Sequence, residues 1–303
     1  MTLLELFCEI DDFNQEFIQT QPKNSLPSTK TTRERALTMT ASEIMTILVL
    51  FHQQRYRDFK TFYTQHVCVY LRSEFPNLPS YNRFVEWIPR SLLPLTAYLF
   101  AHLGVCSGIS FVDSTKLSVC HNRRIHNHKV FAGLAARGKT SVGWFYGFKL
   151  HLLFNDAGEI IWLYLSPGNL DDRKGLLEMI QNPFSSIFHK IFGDKGYISK
   201  ALFGKLFEEH GIQLITGLKK NMKCKQPIPN EDPLFLRKRS IVETIIDQFK
   251  NISQIEHSRH RSPMNFLVNL ICGLKSLLSS GEKTEVAVYA DGVDDGLTRT
   301  DVK

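Results

Sequence analysis

The chain changes its hydrophobic rhythm once, near residue 105. Before that point apolar residues recur at helical spacing, as in TLLELFCEIDDFNQEFIQ, which predicts a helix. SLPSTKTTRERA follows as a polar, Ser/Thr-rich connector. TASEIMTILVLFHQQ carries a start signal, Thr40 or Ser42 before Glu43 and an apolar run, and predicts a second helix. SYNRFVEWIPRSLLPLTAYLFAHLG predicts two more short helices broken at Pro89, with Pro94 offering another break. No strand pattern is visible, so residues 1–105 are expected to form an all-α domain.

From residue 106 strand and helix signals alternate. GISFVDSTKLSVC, GWFYGFKLHLLFN and EIIWLYLSPGN read as three antiparallel strands, the last two joined by the turn NDAG. DDRKGLLEMIQ then predicts a helix, and HKIFGDKGYI a strand running into a Gly-bounded loop. SKALFGKLFEEHG predicts a helix closed by Gly211, IQLITGLKK a strand, and RSIVETIIDQFK a helix after the loop PIPNEDP. The order βββαβαβα predicts an α/β domain over 106–280, ribonuclease-H-like, with a mixed five-stranded sheet flanked by helices. Residues 281–303 are polar and Gly/Asp-rich, without a core pattern, and read as a flexible tail.

Composition narrows the partners. With 303 residues, 43% hydrophobic and 22% charged, the chain is of folded, globular type rather than disordered or fibrous. A net charge of +7 favours a polyanion, because Lys and Arg release condensed counterions when they neutralise phosphates. The six cysteines are scattered, with no CxxC pair and no zinc spacing, and are expected to be reduced. The longest apolar runs fall far below the roughly 20 residues of a membrane span, which predicts a cytoplasmic protein.

The chemistry is concentrated in a few charged residues. In RSIVETIIDQFK, Arg239, Glu243 and Lys250 fall within about 40° on one side of a helix, and Val242, Ile245 and Phe249 on the other. Alone, that stripe reads as a solvated face with an i, i+4 ion pair worth a few tenths of a kcal/mol. The element order adds two more acids: Asp113 within the first strand and Asp194 where the fourth strand gives way to a loop. Taken singly, each acid has a structural reading, at a strand end or in a turn. Together they are expected to converge, because first and fourth strands are central neighbours in this layout and the late helix packs across them. Such carboxylates repel one another unless cations neutralise them. Their hard oxygens suit Mg²⁺ or Mn²⁺, and two ions about 3.5–4 Å apart can serve phosphodiester displacement.

On ISFVDSTKLSVC, ARGKTSVGWFYGFKLHL, LSPGNLDDR, IFGDKGYIS and LRKRSIVETIIDQFK, with ASEIMTILVLFHQQRYRDFKTFY and EFPNLPSYNRFVE upstream, the chain resembles the IS982 family of DDE transposases, within the IS4-like group. Arg239, Glu243 and Lys250 match that group's motif Tyr-x2-Arg-x3-Glu-x6-Lys, but Leu236 stands at the Tyr position. The resemblance implies a catalytic and metal-binding set of Asp113, Asp194 and Glu243. It also implies metal-dependent hydrolysis at transposon ends and attack of the exposed 3′-OH on target DNA. Double-stranded DNA is the implied partner, as terminal inverted repeats and target, with a homodimer holding two ends. Arg239 and Lys250 would face its backbone, and Arg124, Arg137, Lys139, Lys149 and Lys195 are further expected DNA contacts. The N-terminal helices would read the inverted repeats, with a helix-turn-helix ending in SYNRFVEW.

Three neighbouring features are read differently. His121, His126 and His128 lack a fourth metal ligand, and DNA contact is the simpler reading. Asp171 and Asp172 are expected to open the helix DDRKGLLEMI. After NLICGLKSLLSS the resemblance stops, as a frameshifted or foreign end would make it. A ribonuclease-H-like nuclease without joining activity, or an inactive DNA-binding remnant, are the alternatives.

Overall fold

The computed structural model describes residues 1–20, 37–181, 188–217, 232–256 and 260–279. Outside them lie the predicted connector at 25–36, most of the loop PIPNEDP, the basic run LKKNMKCK, part of HSRHR, and the tail.

Among the described residues before Ile109 the regular elements are helices, joined by turns, with no strand. α1 (Leu3–Thr20) packs on α2 (Ala41–Gln53), whose start is Thr40 rather than Ser42. There the Thr40 side chain accepts from Glu43 N–H while Glu43 accepts from Thr40 N–H, a reciprocal capping box. A helical run follows as α3 (Phe59–Thr61), a π-helical stretch (Phe62–Val67) and α4 (Cys68–Tyr70). α5 (Tyr81–Trp87) ends in a 3₁₀ turn (Ile88–Ser91) that contains Pro89, the predicted break. α6 (Leu92–Ala101) runs through Pro94. A proline in the first turn costs no hydrogen bond, because those N–H groups have no intrahelical partner.

β1 (Ile109–Cys120), β2 (Ala136–Thr140), β3 (Gly143–Asn155) and β4 (Ile160–Pro167) are antiparallel neighbours, with β1 and β4 both paired to β3. α7 (Asp172–Ile180), β5 (Lys190–Gly193), α8 (Lys200–His210) and β6 (Gln213–Thr216) follow. β5 pairs parallel to both β1 and β6, so the sheet is mixed. Among the described residues it has six strands, not the expected five. β2 is the addition, and it shares one edge of β3 with β4: β2 pairs with residues 143–147 and β4 with residues 148–154. Its ARGKT sequence is short and carries a charge at alternate positions, which reads as loop until β3 supplies the ladder.

The two faces of the sheet are covered differently. Val112, Leu153 and Ile191 point to the side packed by α7 and α8. Phe111, Leu117, Leu150, Leu152 and Phe192 point to the other, where α10 (Ser240–Asn251) lies, preceded by α9 (Asp232–Lys238). α11 (Pro263–Ser279) joins the two parts of the chain. Val268 and Cys272 belong to the core of the N-terminal helices, while Phe266, Leu270 and Leu274 belong to the core beneath α10. Among the described residues no helix is long and apolar enough to cross a membrane.

Candidate active site

Alternation along β1 sends Asp113 to the same side as Phe111 and Leu117, towards α10. The parallel ladder with β5 matches Phe111 to Phe192 and then stops, so two residues further on Asp194 follows β5 beside the level of Asp113. Asp194 caps a 3₁₀ turn (Lys195–Tyr197), its Oδ1 accepting from Lys195 N–H at 2.6 Å. Across the face, Val242, Ile245, Ile246 and Phe249 bury one side of α10. That anchors Glu243 on the other, where Arg239 Nη2 donates to Glu243 Oε1 at 2.6 Å. Arg239 is the more enclosed partner, its side chain 18% exposed against 60% for Glu243.

The electrostatics of Asp113 tie these groups together. Burial pushes its carboxyl up to about 6; the Ser114 N–H and the Arg239 charge hold it down, while Asp194 and Glu243 push it further up. Three acids and one guanidinium therefore share a neighbourhood in which the acids outnumber the cation. Hard carboxylate oxygens in excess, one of them partly buried, are a donor set that fits a divalent cation. The set is not closed around one, since among the described residues no group of three His, Cys, Asp or Glu side chains is arranged to hold a metal ion.

Behind Asp113, on the α7 face, lies a polar network that sequence reasoning missed. Ser114 Oγ donates to Asp172 Oδ1 at 2.8 Å, and Lys149 Nζ donates to the same oxygen at 3.0 Å and to Leu170 O at 2.8 Å. His151 is fully buried beside them, bonded through Nε2 to Ser166 Oγ at 2.9 Å, and burial lowers its pKa to about 4. Tyr197 Oη lies buried in the field of Asp172, Asp113 and Asp194, with no partner at hydrogen-bonding distance among the described residues, although the Ser114 hydroxyl influences it. The available signal was Lys149 and His151 two apart in the otherwise apolar GFKLHLLF, a same-face polar pair inside a buried strand.

This placement corrects the reading of Lys149 as a DNA contact. Its strand position faces the α7 layer, and its ammonium is committed to Asp172 and Leu170. Asp171 caps α7 as expected, its side chain accepting from Arg173 N–H, but Asp172 also braces the strand that carries Asp113. Arg124, Arg137, Lys139 and Lys195 are exposed, and Lys250 is half-buried.

A family model described as a transposase DDE domain matches residues 103–263, more than half of the 303-residue chain. The chain belongs to that family. The matched transposase segment runs from just before β1 to the start of α11, and so takes in Asp113, Asp194 and Glu243. A search of curated proteins returns no match.

Proposed function

We propose that this DDE-domain protein is an insertion-sequence transposase of the IS982 type, with a ribonuclease-H-like catalytic domain, and that Asp113, Asp194 and Glu243 are its catalytic and metal-binding set. The carrying observation is the field at Asp113: a partly buried carboxyl raised to about 6, with Asp194 and Glu243 both contributing to the rise. Mg²⁺ or Mn²⁺, two ions in the full site, would activate the nucleophile and steady the leaving oxygen at a phosphodiester.

The chain's own residues prepare that chemistry. Asp113, fixed on β1 and braced from behind through Ser114 and Asp172, offers the most rigid carboxylate. Glu243 is half free, and would exchange its Arg239 partner for a cation. Arg239, released, has the planar fork that suits a DNA phosphate, with Lys250 further along the helix and Lys195 beside Asp194 as point charges. Arg124, Arg137 and Lys139 extend the cationic surface. Residues 1–105 are proposed as the DNA-binding domain that reads the terminal inverted repeats, with a homodimer pairing two ends.

The test is cleavage of a transposon-end duplex with native flanking DNA in Mg²⁺. The wild-type chain cuts it and joins the 3′-OH to target DNA, whereas Asp113→Asn binds without cutting. Cleavage retained in Asp113→Asn overturns the assignment, and cutting without joined product favours a nuclease.

A further inference from the structure

Residues 114–155 contain no Asp or Glu, yet Lys116, Arg123, Arg124, Lys129, Arg137 and Lys139 lie within them in addition to the buried Lys149. Their outermost part is the β2–β3 hairpin. At its tip Thr140 pairs with Gly143, leaving Val142 86% exposed, and Trp144 opens β3 with half its surface, 52%, in solvent. Two cations sit against that indole: Arg137 Cζ is 4.8 Å and Lys139 Nζ 5.6 Å from the ring centroid. Asn122 Nδ2 donates to Trp144 O at 2.7 Å, which fixes the 3₁₀ turn bearing Arg123 and Arg124 (Asn122–Asn127) against the hairpin.

An exposed Trp is a poor choice for solubility, and a cation-rich, acid-free strip is a poor choice for pairing with another basic chain. Together they have the composition of a single-strand platform, where an aromatic face takes a base and the surrounding cations take its flanking phosphates. The position suits a second contact on the same substrate. Leu152, the partner of Asp113 in the β1–β3 ladder, and Trp144 are both even-numbered positions of β3 and therefore leave the strand on one side. They are eight residues, about 27 Å, apart, a span of about eight base-pair steps of B-form duplex.

We propose that the β2–β3 hairpin is a nucleic-acid contact at which Trp144 stacks on an unpaired base while Arg137, Lys139, Arg123 and Arg124 hold the adjacent phosphates. This rests on the transposase reading and specifies where, beyond the acids, the protein engages single-stranded DNA.

The experiment is a fluorescence titration of the full chain with oligo(dT) of about 20 nucleotides, at low salt and without divalent metal, beside a duplex of equal length. Oligo(dT) quenches tryptophan emission of the wild type. Trp144→Phe, leaving Trp87 and Trp162 as reporters, loses the quench, and Trp144→Ala weakens oligo(dT) binding roughly 5- to 100-fold. Arg137→Gln weakens it less and lowers the salt slope. The proposal is overturned by an undiminished quench in Trp144→Phe or by unchanged oligo(dT) affinity in Trp144→Ala. It is equally overturned by emission that follows protein concentration rather than DNA, which would make the hairpin a contact between copies. Wild-type cleavage with no Trp144 effect sinks this contact alone; a Trp144-dependent quench in a chain that never cuts sinks the catalytic reading alone.

Discussion

Two partly buried carboxylates, one in each part of the chain, are treated in opposite ways. Glu9, on α1, is saturated with donors: its Oε1 accepts from Tyr98 Oη at 2.7 Å and Lys275 Nζ at 3.1 Å, with His102 Nε2 also 3.1 Å away. Burial alone would raise its pKa, but Tyr98, Lys275 and His102 outweigh burial and hold it below the usual carboxylate value. Lys275 in turn lies over the Tyr98 ring at 4.4 Å. Asp113 has one backbone N–H, a shared guanidinium and two acids for company, and its pKa rises. The first arrangement is that of a carboxylate whose work is to tie α1, α6 and α11 together. The second is a carboxylate left short of positive charge, which costs stability and is useful where a cation must bind.

Removing the charge should therefore have opposite effects at the two sites. Asp113→Asn should lower Mg²⁺-dependent cleavage by about 10²- to 10³-fold, the scale seen when one preorganised electrostatic partner of a reacting centre is lost. In metal-free buffer the same variant should melt higher. A folded pKa of about 6 against an ordinary 3.8 means that ionised Asp113 destabilises the fold above pH 6, and that the penalty disappears as pH falls through 3.8. The gain at neutral pH is at most about 3 kcal/mol. A lower melting temperature for Asp113→Asn would show that Asp113 is structural, like Glu9.

Acid should reverse the balance between the parts. His52, His151 and His260 are each lowered to about 4, chiefly by burial, from an ordinary 6.5. Their neutral forms fold, so the unfolded chain binds more protons and stability is lost as pH falls from 6.5 towards 4, against a smaller gain from Asp113. Two of the three affect the join between helical part and sheet: His52 on α2 bonds Ser253 O at 2.8 Å, and its field lowers His260. Between about pH 7.5 and 5 the loss should amount to a few kcal/mol. Thermal melts over that range measure it; flat or rising stability would mean that these histidines are not neutral in the fold.

Glu9→Gln is the smaller structural counterpart. Lys275 is only 3% exposed in its side chain and would be left with an uncompensated charge. Because Glu9 is 31% exposed, the expected loss is about 2–3 kcal/mol, below the full range for buried pairs. Cleavage measured well below the melting temperature should be unchanged.

What the sequence disclosed about these regions follows the range of the interactions. Helix starts, strand alternation and the amphipathic face of α10 are local, so Thr40, Asp113 and the Val242–Phe249 stripe were readable from spacing. Element order sufficed to place Asp194 beside Asp113. β2 was not readable, because Arg137 and Lys139 gave it no apolar alternation and its ladder comes from β3. Nor was the bracing of Asp113, since Ser114 and Lys149 each reach Asp172 by a hydrogen bond, across 58 and 23 positions of sequence that spacing does not encode: 172 − 114 = 58 and 172 − 149 = 23. The dual allegiance of α11 was hidden for the same reason: its helical pattern shows how much it buries, not against which partners.

The smallest predicted effect tests the site from behind. Tyr197 is held by packing with the α7 and α8 layer, and its Oη is buried without a partner among the described residues, whereas Tyr98, the matching phenol of the helical part, spends its hydroxyl on Glu9. An unpaired buried hydroxyl costs about 1 kcal/mol or more. Tyr197→Phe, which keeps the ring, should therefore raise stability by about 1 kcal/mol, while Tyr98→Phe should lower it by a similar amount. Paired melts of the two variants measure both. If Tyr197→Phe also destabilises, the hydroxyl has a bonded partner in the folded chain, and the contrast between a satisfied helical region and an unsatisfied acid site loses its clearest uncharged example.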